Sequence, residues 1–489
     1  MENTYQLAPG LKISRMIIGL WQIADMERNG SVLDPVLTSQ SMEPYVRAGF
    51  TSFDMADHYG SSEVITGHFK KHHVLGNQVQ LFTKWVPKPG KINREVVRQA
   101  VHLALERMKQ STIELMQFHA WHYPDPSWLD ALFYLNELRE EGLIHHIGVT
   151  NFDAAHLRMA CASGIPLISN QVCHSLVDQR ARGEMTQVCE KYGVKILAFG
   201  TLAGGFLTQK WIGKAEPLQD ELTTWSEMKY KRFIDISGGW DRFQNLLESI
   251  KKVADRHKVS MANVASRWVL ENPWVAAVIV GARLGQSEHI IEHKKMLDLT
   301  FSERDIAEIN KAQDSMIPIP GDCGDEYRKP PFLTASGDLS HHLENIPKSY
   351  VPIDMGGDRA QIFSGTVWEE FAGYSRAVKE GNRIHISGTT ATHGHKMIGG
   401  KDGAAQTHFV IDKIESVLES FGGSLEDVIR TRIFVNDIND WQPVARAHGV
   451  RFKGINPANT LVGSKLVGEG YMVEIEAEAI IKSPNETSN

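Results

Sequence analysis

Gly49-Phe-Thr-Ser-Phe-Asp-Met-Ala-Asp-His-Tyr-Gly60 reads as a short apolar run, Thr51 to Ala56, that opens into a loop carrying a phenol. Seven more such runs occur between residues 13 and 282: Ile13 to Trp21, Val79 to Trp85, Ile113 to Ala120, His145 to Asn151, Leu167 to Val172, Lys195 to Gly200 and Ala276 to Ala282. Longer amphipathic stretches separate them. In Arg94 to Lys109 and Trp128 to Glu141 apolar residues recur at three and four, and Gly142 stands where a helix would be capped. Eight repeats of strand then helix predict α/β architecture closed as a (β/α)8 TIM barrel. The rival is an open doubly wound sheet, but no run is followed by the GxGxxG turn that its nucleotide site would use.

The chain is 489 residues long, enough for roughly three domains, or two if one is a barrel of about 250. Its 52 Lys+Arg against 59 Asp+Glu give a formal charge of −7 with no basic block, so no nucleic-acid partner is expected. Cys161, Cys173, Cys189 and Cys323 are scattered without a CxxC, which argues against a zinc knuckle or a disulfide framework. Pairs such as His72-His73, His145-His146 and His341-His342 point apart on a strand and no HExxH occurs, so no metal is expected. The first ten residues lack a basic and an apolar signal region, and no apolar run reaches about 18 residues; the expectation is a cytoplasmic protein without a membrane partner.

From Ile317-Pro-Ile-Pro-Gly321 to about Asp358 the chain is rich in Pro, Gly, Asp and His. This divides it into a barrel at 1–325, a linker or wrapping segment at 326–360, a small α+β domain at 361–482 and a frayed tail at 483–489. In the small domain, Arg383 to Ser387, Ile429 to Val435, Thr460 to Leu466 and Met472 to Ile481 are strand-like. Gln406 to Phe421 and the segment after Trp441 are helical, and Ser424, three before Asp427, is a candidate cap.

A barrel presents its reactive side chains at C-terminal strand ends. Asp54 lies in the second run, Tyr59 follows it by five residues, Lys84 is at the end of the third and His119 closes the core of the fourth. A phenol, a cation, a carboxylate and an imidazole on one rim suit proton donation to a carbonyl oxygen as hydride reaches the carbon. In this reading the Lys84 ammonium favours the Tyr59 phenolate, Asp54 holds Lys84, and His119 orients or polarises the carbonyl. Trp21, Trp85, Trp121 and Tyr123 are open between core and substrate mouth.

The Gly49–Gly60 stretch, with Glu63 and Gly67 beyond it, resembles the signature of the aldo-keto reductase family over about residues 5 to 325. That resemblance implies a nicotinamide cofactor, NADPH with NADH possible, a small-molecule carbonyl substrate, and a catalytic tetrad of Asp54, Tyr59, Lys84 and His119. It further implies that Asn151 and Gln171 hold the nicotinamide carboxamide and that Phe199 stacks on its ring, within Leu197-Ala-Phe-Gly-Thr-Leu-Ala-Gly-Gly205, which also offers Leu202 and Gly204. Ile279-Val-Gly-Ala-Arg283 resembles the 2′-phosphate loop, giving Gly281 and Arg283 as cofactor contacts. Downstream the pattern departs, with His293 where Asn is common, and Gln286, Ser287 and Glu288 are the candidates left for adenine.

Gly373-Tyr-Ser-Arg-Ala-Val-Lys-Glu-Gly-Asn-Arg-Ile-His-Ile-Ser-Gly388, Arg432-Ile-Phe-Val-Asn-Asp437, Pro457-Ala-Asn459 and Val473-Glu-Ile-Glu-Ala477 resemble the Rid (YjgF-like, reactive intermediate deaminase) family over about 361 to 482. The resemblance implies a chorismate-mutase-like α+β fold, a homotrimer through the C-terminal domain, and clefts between subunits that hydrolyse imines and enamines. Tyr374, Ser387 and Glu474 match cleft positions. Asn459 stands where the family has an arginine for the substrate carboxylate, and a neutral amide cannot make that charge-assisted pair. Three readings remain: a carbonyl reductase whose second domain trimerises it or binds a metabolite, a bifunctional reductase and imine hydrolase, and a cofactor-sensing scaffold.

Overall fold

The computed structural model describes residues 2–24, 33–286, 289–329 and 340–481. A hairpin of β1 (Thr4–Ala8) and β2 (Leu11–Ser14) comes first. Eight parallel strands then close a barrel: β3 (Met16–Gly19), β4 (Ser52–Asp54), β5 (Gln80–Trp85), β6 (Ile113–His119), β7 (Ile144–Thr150), β8 (Leu167–Cys173), β9 (Lys195–Phe199) and β10 (Val275–Gly281), with β10 pairing back to β3. Each strand lies within a run read from the sequence or within one residue of it. The first run differs, because Ile13 and Ser14 belong to the hairpin and only Met16 to Gly19 to the barrel. The hairpin plugs the floor: Leu7, Leu11 and Ile13 pack on Ile17, Leu115 and Leu197 inside the barrel. The opposite rim, where the strands end, is left for chemistry.

Helices cover the outside, each set by local signals. The Asn93 side chain accepts from Val96 N to start the Arg94–Met108 helix, and Gly142, at φ 85°, follows the Ser127–Glu140 helix. Between β9 and β10 the chain makes its longest excursion, with helices Trp225–Ile236, Trp240–His257 and Met261–Val269. The first of these leans over the rim.

The second sheet contains β11 (Ile353–Asp354), β12 (Arg359–Ile362), β13 (Ala377–Glu380) and β14 (Arg383–Thr390), a side hairpin of β15 (Thr392–His393) and β16 (Lys396–Met397) lying apart from it, then β17 (Val428–Val435), β18 (Ala458–Gly463) and β19 (Val473–Ile480). Its order is β11-β12-β13-β14-β19-β17-β18, antiparallel except for β17 with β18. The early strands escape a sequence reading because Arg359-Ala-Gln-Ile is short and polar. The expected cap holds: Ser424 and Asp427 form a reciprocal capping box. Helices Gly403–Ser420 and Trp441–Arg451 back one face, whereas β18 is exposed along most of its length.

The two sheets do not hang on a free tether. The described part of the 326–360 segment wraps: Ser349 Oγ donates to Asp125 Oδ2 at 3.0 Å and Tyr350 N to Ser420 Oγ at 3.3 Å. Beside it, helix Gly403–Ser420 packs on helix Ala154–Ala162. His156 sits between Asp153 (2.7 Å) and Asp412 (3.1 Å), and Arg451 reaches Asp412 at 2.5 Å and Glu415 at 2.7 Å. Asp402 accepts from Arg158, Lys191 and Tyr192. Among the described residues no helix is long and apolar enough to cross a membrane. The tail at 483–489 and the candidates Ser287 and Glu288 lie outside the described residues.

Candidate active site

Asp54 ends β4, Lys84 is next to last in β5 and His119 ends β6, so parallel register alone brings them to one rim. Lys84 Nζ donates to Asp54 Oδ2 and to Met55 O, both at 2.5 Å. The other Asp54 oxygen accepts from Gln117 Nε2 at 3.0 Å and Gln171 Nε2 at 2.8 Å. Asp54 and Lys84 are both buried. Burial presses the Lys84 pKa down while Asp54 opposes it, which makes the pair a mutual requirement.

The Tyr59 ring lies 4.9 Å from Lys84 Nζ and packs edge-on to Trp21 at 5.0 Å. The expected lowering of its pKa is not what the site produces. Burial, then the charge of Asp54, pushes the phenol well above its ordinary value. Tyr59 therefore keeps its proton at neutral pH.

His119 is set by its backbone neighbour and by burial. Its Nδ1 faces Thr150 O at 3.3 Å, a partner that only accepts, and burial, reinforced by Arg328, holds the ring well below its usual pKa. In the neutral ring the proton sits on Nδ1, and the buried Nε2, without a protein partner, presents a lone pair. In that tautomer Nε2 is an acceptor that lines the cavity.

A cavity of about 820 Å³ runs from Tyr59, Lys84 and His119 past Asn151, Gln171 and Phe199 to Leu202, Gly204, Gly281 and Arg283. These ten and Asp54 thus line one space, whereas Gln286, the described one of the adenine candidates, is not part of its lining. Asn151 has a left-handed backbone (φ 60°), and its buried Oδ1 has no protein partner, as expected of a group awaiting an amide donor. Gly204, at φ 65°, leaves no room for a Cβ, which would stand 2.7 Å from Ser226 O. Arg283 is exposed at the outer end, and Ser260, which caps the Met261–Val269 helix, lines the same cavity. Of the open aromatics, Trp21 and Trp121 line the cavity, while Trp85 and Tyr123 are core.

Sequence reading missed Lys229 and Tyr327, which also line the cavity. The signal was there in one case: Lys229 lies four residues before Phe233 on the buried face of its helix, a cation inside an apolar stripe.

In the second domain, Tyr374, Ser387 and Glu474 gather around an unanticipated residue, Arg376. Its Nη2 donates to Gly388 O at 2.5 Å, its backbone O accepts from Ser387 N, and its buried Nε has no partner. Glu474 Oε1 would stand 2.0 Å from any Cβ at position 388. Asn459 does not join them within one chain. It lies on edge strand β18, two strands from Glu474, with its Nδ2 on Thr431 Oγ1 at 2.9 Å.

Residues 15–314 match the model of the aldo/keto reductase family, and 368–481 match that described as endoribonuclease L-PSP. The chain belongs to the aldo/keto reductase family, and its C-terminal match adds a YjgF-like domain. It is an oxidoreductase of the kind that reduces carbonyl groups with a nicotinamide cofactor. Aldo-keto reductase YhdN of Bacillus subtilis is 26% identical over 348 residues, 68% of this chain and 98% of that protein. An uncharacterised Streptomyces coelicolor protein is 35% identical over 120 residues, 24% of this chain and 90% of its own length. The solved glycerol dehydrogenase of Gluconobacter oxydans superposes with a TM-score of 0.53 at 20% identity, over 65% of this chain and 98% of that one.

Proposed function

We propose that the protein is an NADPH-dependent reductase of an aldehyde or ketone, with Asp54, Tyr59, Lys84 and His119 as its catalytic group. The observation that carries this is the contrast within one cavity between the saturated Asp54–Lys84 pair and the unpartnered atoms beside it, His119 Nε2 and Asn151 Oδ1. A bound nicotinamide supplies hydride. The residues present fit such a group: Asn151 Oδ1 and Gln171 for its carboxamide, Phe199 for its ring face, Leu202, Gly204 and Gly281 for close backbone approach, and Arg283 for a 2′-phosphate.

Tyr59 gives its proton to the substrate oxygen, and the Lys84 ammonium, fixed by Asp54, stabilises the phenolate left behind. His119 Nε2 accepts from the hydroxyl as it forms, which orients the product. In the reverse direction the same lone pair holds the alcohol for oxidation. Following absorbance of NADPH and of NADH over a panel of aldehydes tests the reading; no turnover with either cofactor would end it.

The second domain, on this reading, assembles a homotrimer through its open sheet face, where Arg432 pairs with Glu476 and Glu478 and β18 lies uncovered. A neighbouring copy's Asn459 edge would complete the cleft at Tyr374, Ser387, Glu474 and Arg376. Sedimentation of the intact protein decides this, a monomer at micromolar concentration being the contrary result.

A further inference from the structure

We propose that the carbonyl substrate carries a second, anionic group, carboxylate or phosphate, and that Lys229 together with Tyr327 forms its subsite. The inference rests on the reductase reading above and adds a substrate class to it.

Lys229 comes from the Trp225–Ile236 helix that leans over the rim, and it is only 7% exposed. Its Nζ donates to Tyr327 Oη at 2.6 Å. Beyond that it meets rings: Tyr327 at 4.1 Å, Phe199 at 5.7 Å and Tyr230 at 5.9 Å. Among the described residues no carboxylate lies within salt-bridge distance of it. Glu326, the next residue to Tyr327, is turned to Arg180 at 2.8 Å. Burial opposes its charge, yet Tyr327 and then the more distant Glu326 outweigh burial and hold the ammonium above its usual pKa, so the cavity carries a fixed positive charge. Lys84, the other buried lysine of the cavity, has its carboxylate at 2.5 Å. Lys229 has no carboxylate at that distance among the described residues, and it lines the open cavity.

Its place in that cavity selects the occupant. Tyr327 packs against His119 at 5.7 Å between ring centroids, so the ammonium stands one aromatic ring away from the reacting end. The positive charge is felt there, since Lys229 contributes to holding the His119 pKa down. The cations suited to cofactor phosphates lie elsewhere: Arg283 is at the outer end and Lys210 is largely exposed. Trp21, edge-on to Tyr59, and Trp121, edge-on to His119, line the same cavity and offer apolar walls for the substrate body, with Lys229 for a charged tail.

The test pairs carbonyl compounds that differ in charge: 4-carboxybenzaldehyde with benzaldehyde, succinic semialdehyde with butanal, and glyceraldehyde 3-phosphate with glyceraldehyde, all with NADPH. The wild type should favour the anionic member of at least one pair, and the pair tells carboxylate from phosphate. Lys229→Met should cut that preference in kcat/KM by about 30-fold, mostly through KM, and Lys229→Arg should restore part of it. A second readout is free of turnover: benzoate, succinate and inorganic phosphate titrated against the intrinsic tryptophan fluorescence of the full chain should lose affinity in Lys229→Met. Should that variant fold poorly, Tyr327→Phe keeps the ring, removes the phenol and should lower the preference less. Equal preference within every pair, or a loss of NADPH affinity in Lys229→Met as large as the loss of preference, would overturn the proposal. Absence of turnover on every carbonyl would defeat the reductase reading, with the fluorescence titration still deciding whether Lys229 binds an anion.

Discussion

Two regions of this molecule bury a carboxylate against a cation, the barrel rim and the seam between the domains, and they differ in what is left over. At the seam Asp153, His156, Asp412, Arg451 and Glu415 satisfy one another, and Tyr123 lies flat on His156 at 3.4 Å. At the rim the Asp54–Lys84 pair is equally well made, yet His119 Nε2, Asn151 Oδ1 and Trp121 Nε1 are buried without partners. A closed network holds two bodies together, and an open one is built for something that arrives. Titratable clusters alone do not reveal which is which. Both regions perturb pKa values, and both leave a few buried polar atoms without partners, Tyr123 Oη and His408 Nδ1 at the seam, so the distinction lies in what those atoms face: packed side chains at the seam, an open cavity at the rim.

The contrast is broken most severely at Tyr59. Tyr59→Phe should lower carbonyl reduction by about 10³-fold, the general-acid contribution, while the denaturation midpoint and NADPH affinity stay near wild type. Retention of most of kcat on a good aldehyde would remove Tyr59 from the chemistry. The reciprocal change belongs to the seam. Asp412→Ala takes one of two carboxylates from each of Arg451 and His156, leaving Glu415 and Asp153, and should cost about 2 kcal/mol in urea unfolding, with kcat/KM at 25 °C nearly unmoved. A drop in activity as large as that at Tyr59, with no loss of stability, would show that the seam is part of the active site.

The rim was legible because the β/α period forces strand ends together, so Asp54, Lys84 and His119 could be placed before any contact was known. Their electrostatics were less legible. That Lys84 would lower the Tyr59 pKa is reasonable for two groups in water, but burial and Asp54 reverse it. Lys229 was hidden by its position in the long excursion between β9 and β10, where no strand end marks it. The seam was invisible for another reason: Asp153 and His156 look like an ordinary helix cap three residues apart, and Asp412 lies 256 residues away from His156. One trace existed. The Gly403–Ser420 helix carries Gln406, His408 and Asp412 among apolar residues on every side, and polar groups on a helix buried all round require partners.

A smaller effect sharpens the cofactor end of the rim. Arg283→Ala should weaken NADPH by about 10- to 100-fold and NADH hardly at all, since only the phosphorylated cofactor loses a charge-assisted contact. Equal losses in fluorescence titrations would move the phosphate site elsewhere in the cavity, with Lys210 the next residue to change.

The smallest effect is a slope. Against the pull of burial, Asp153 and Asp412 raise the pKa of His156 above the ordinary imidazole value of about 6.5. A raised histidine stabilises the folded state fully below about pH 6.5, and that contribution is lost as pH climbs through the folded-state pKa, at about 1.4 kcal/mol per unit in between. Asp153 and Asp412 are shifted the other way, so their contribution is present above about pH 3.8 and is lost as pH falls further. The seam should thus be tightest from about pH 4 to 6.5 and loosen toward alkaline pH. His156→Gln keeps a hydrogen-bonding side chain but no titration. Urea midpoints between pH 5.5 and 8.5, wild type minus variant, cancel the other twenty histidines and leave the slope due to this one. A difference that does not shrink as pH rises would mean that His156 is neutral in the folded protein, and that the two carboxylates are held by Arg451 and the helix cap alone.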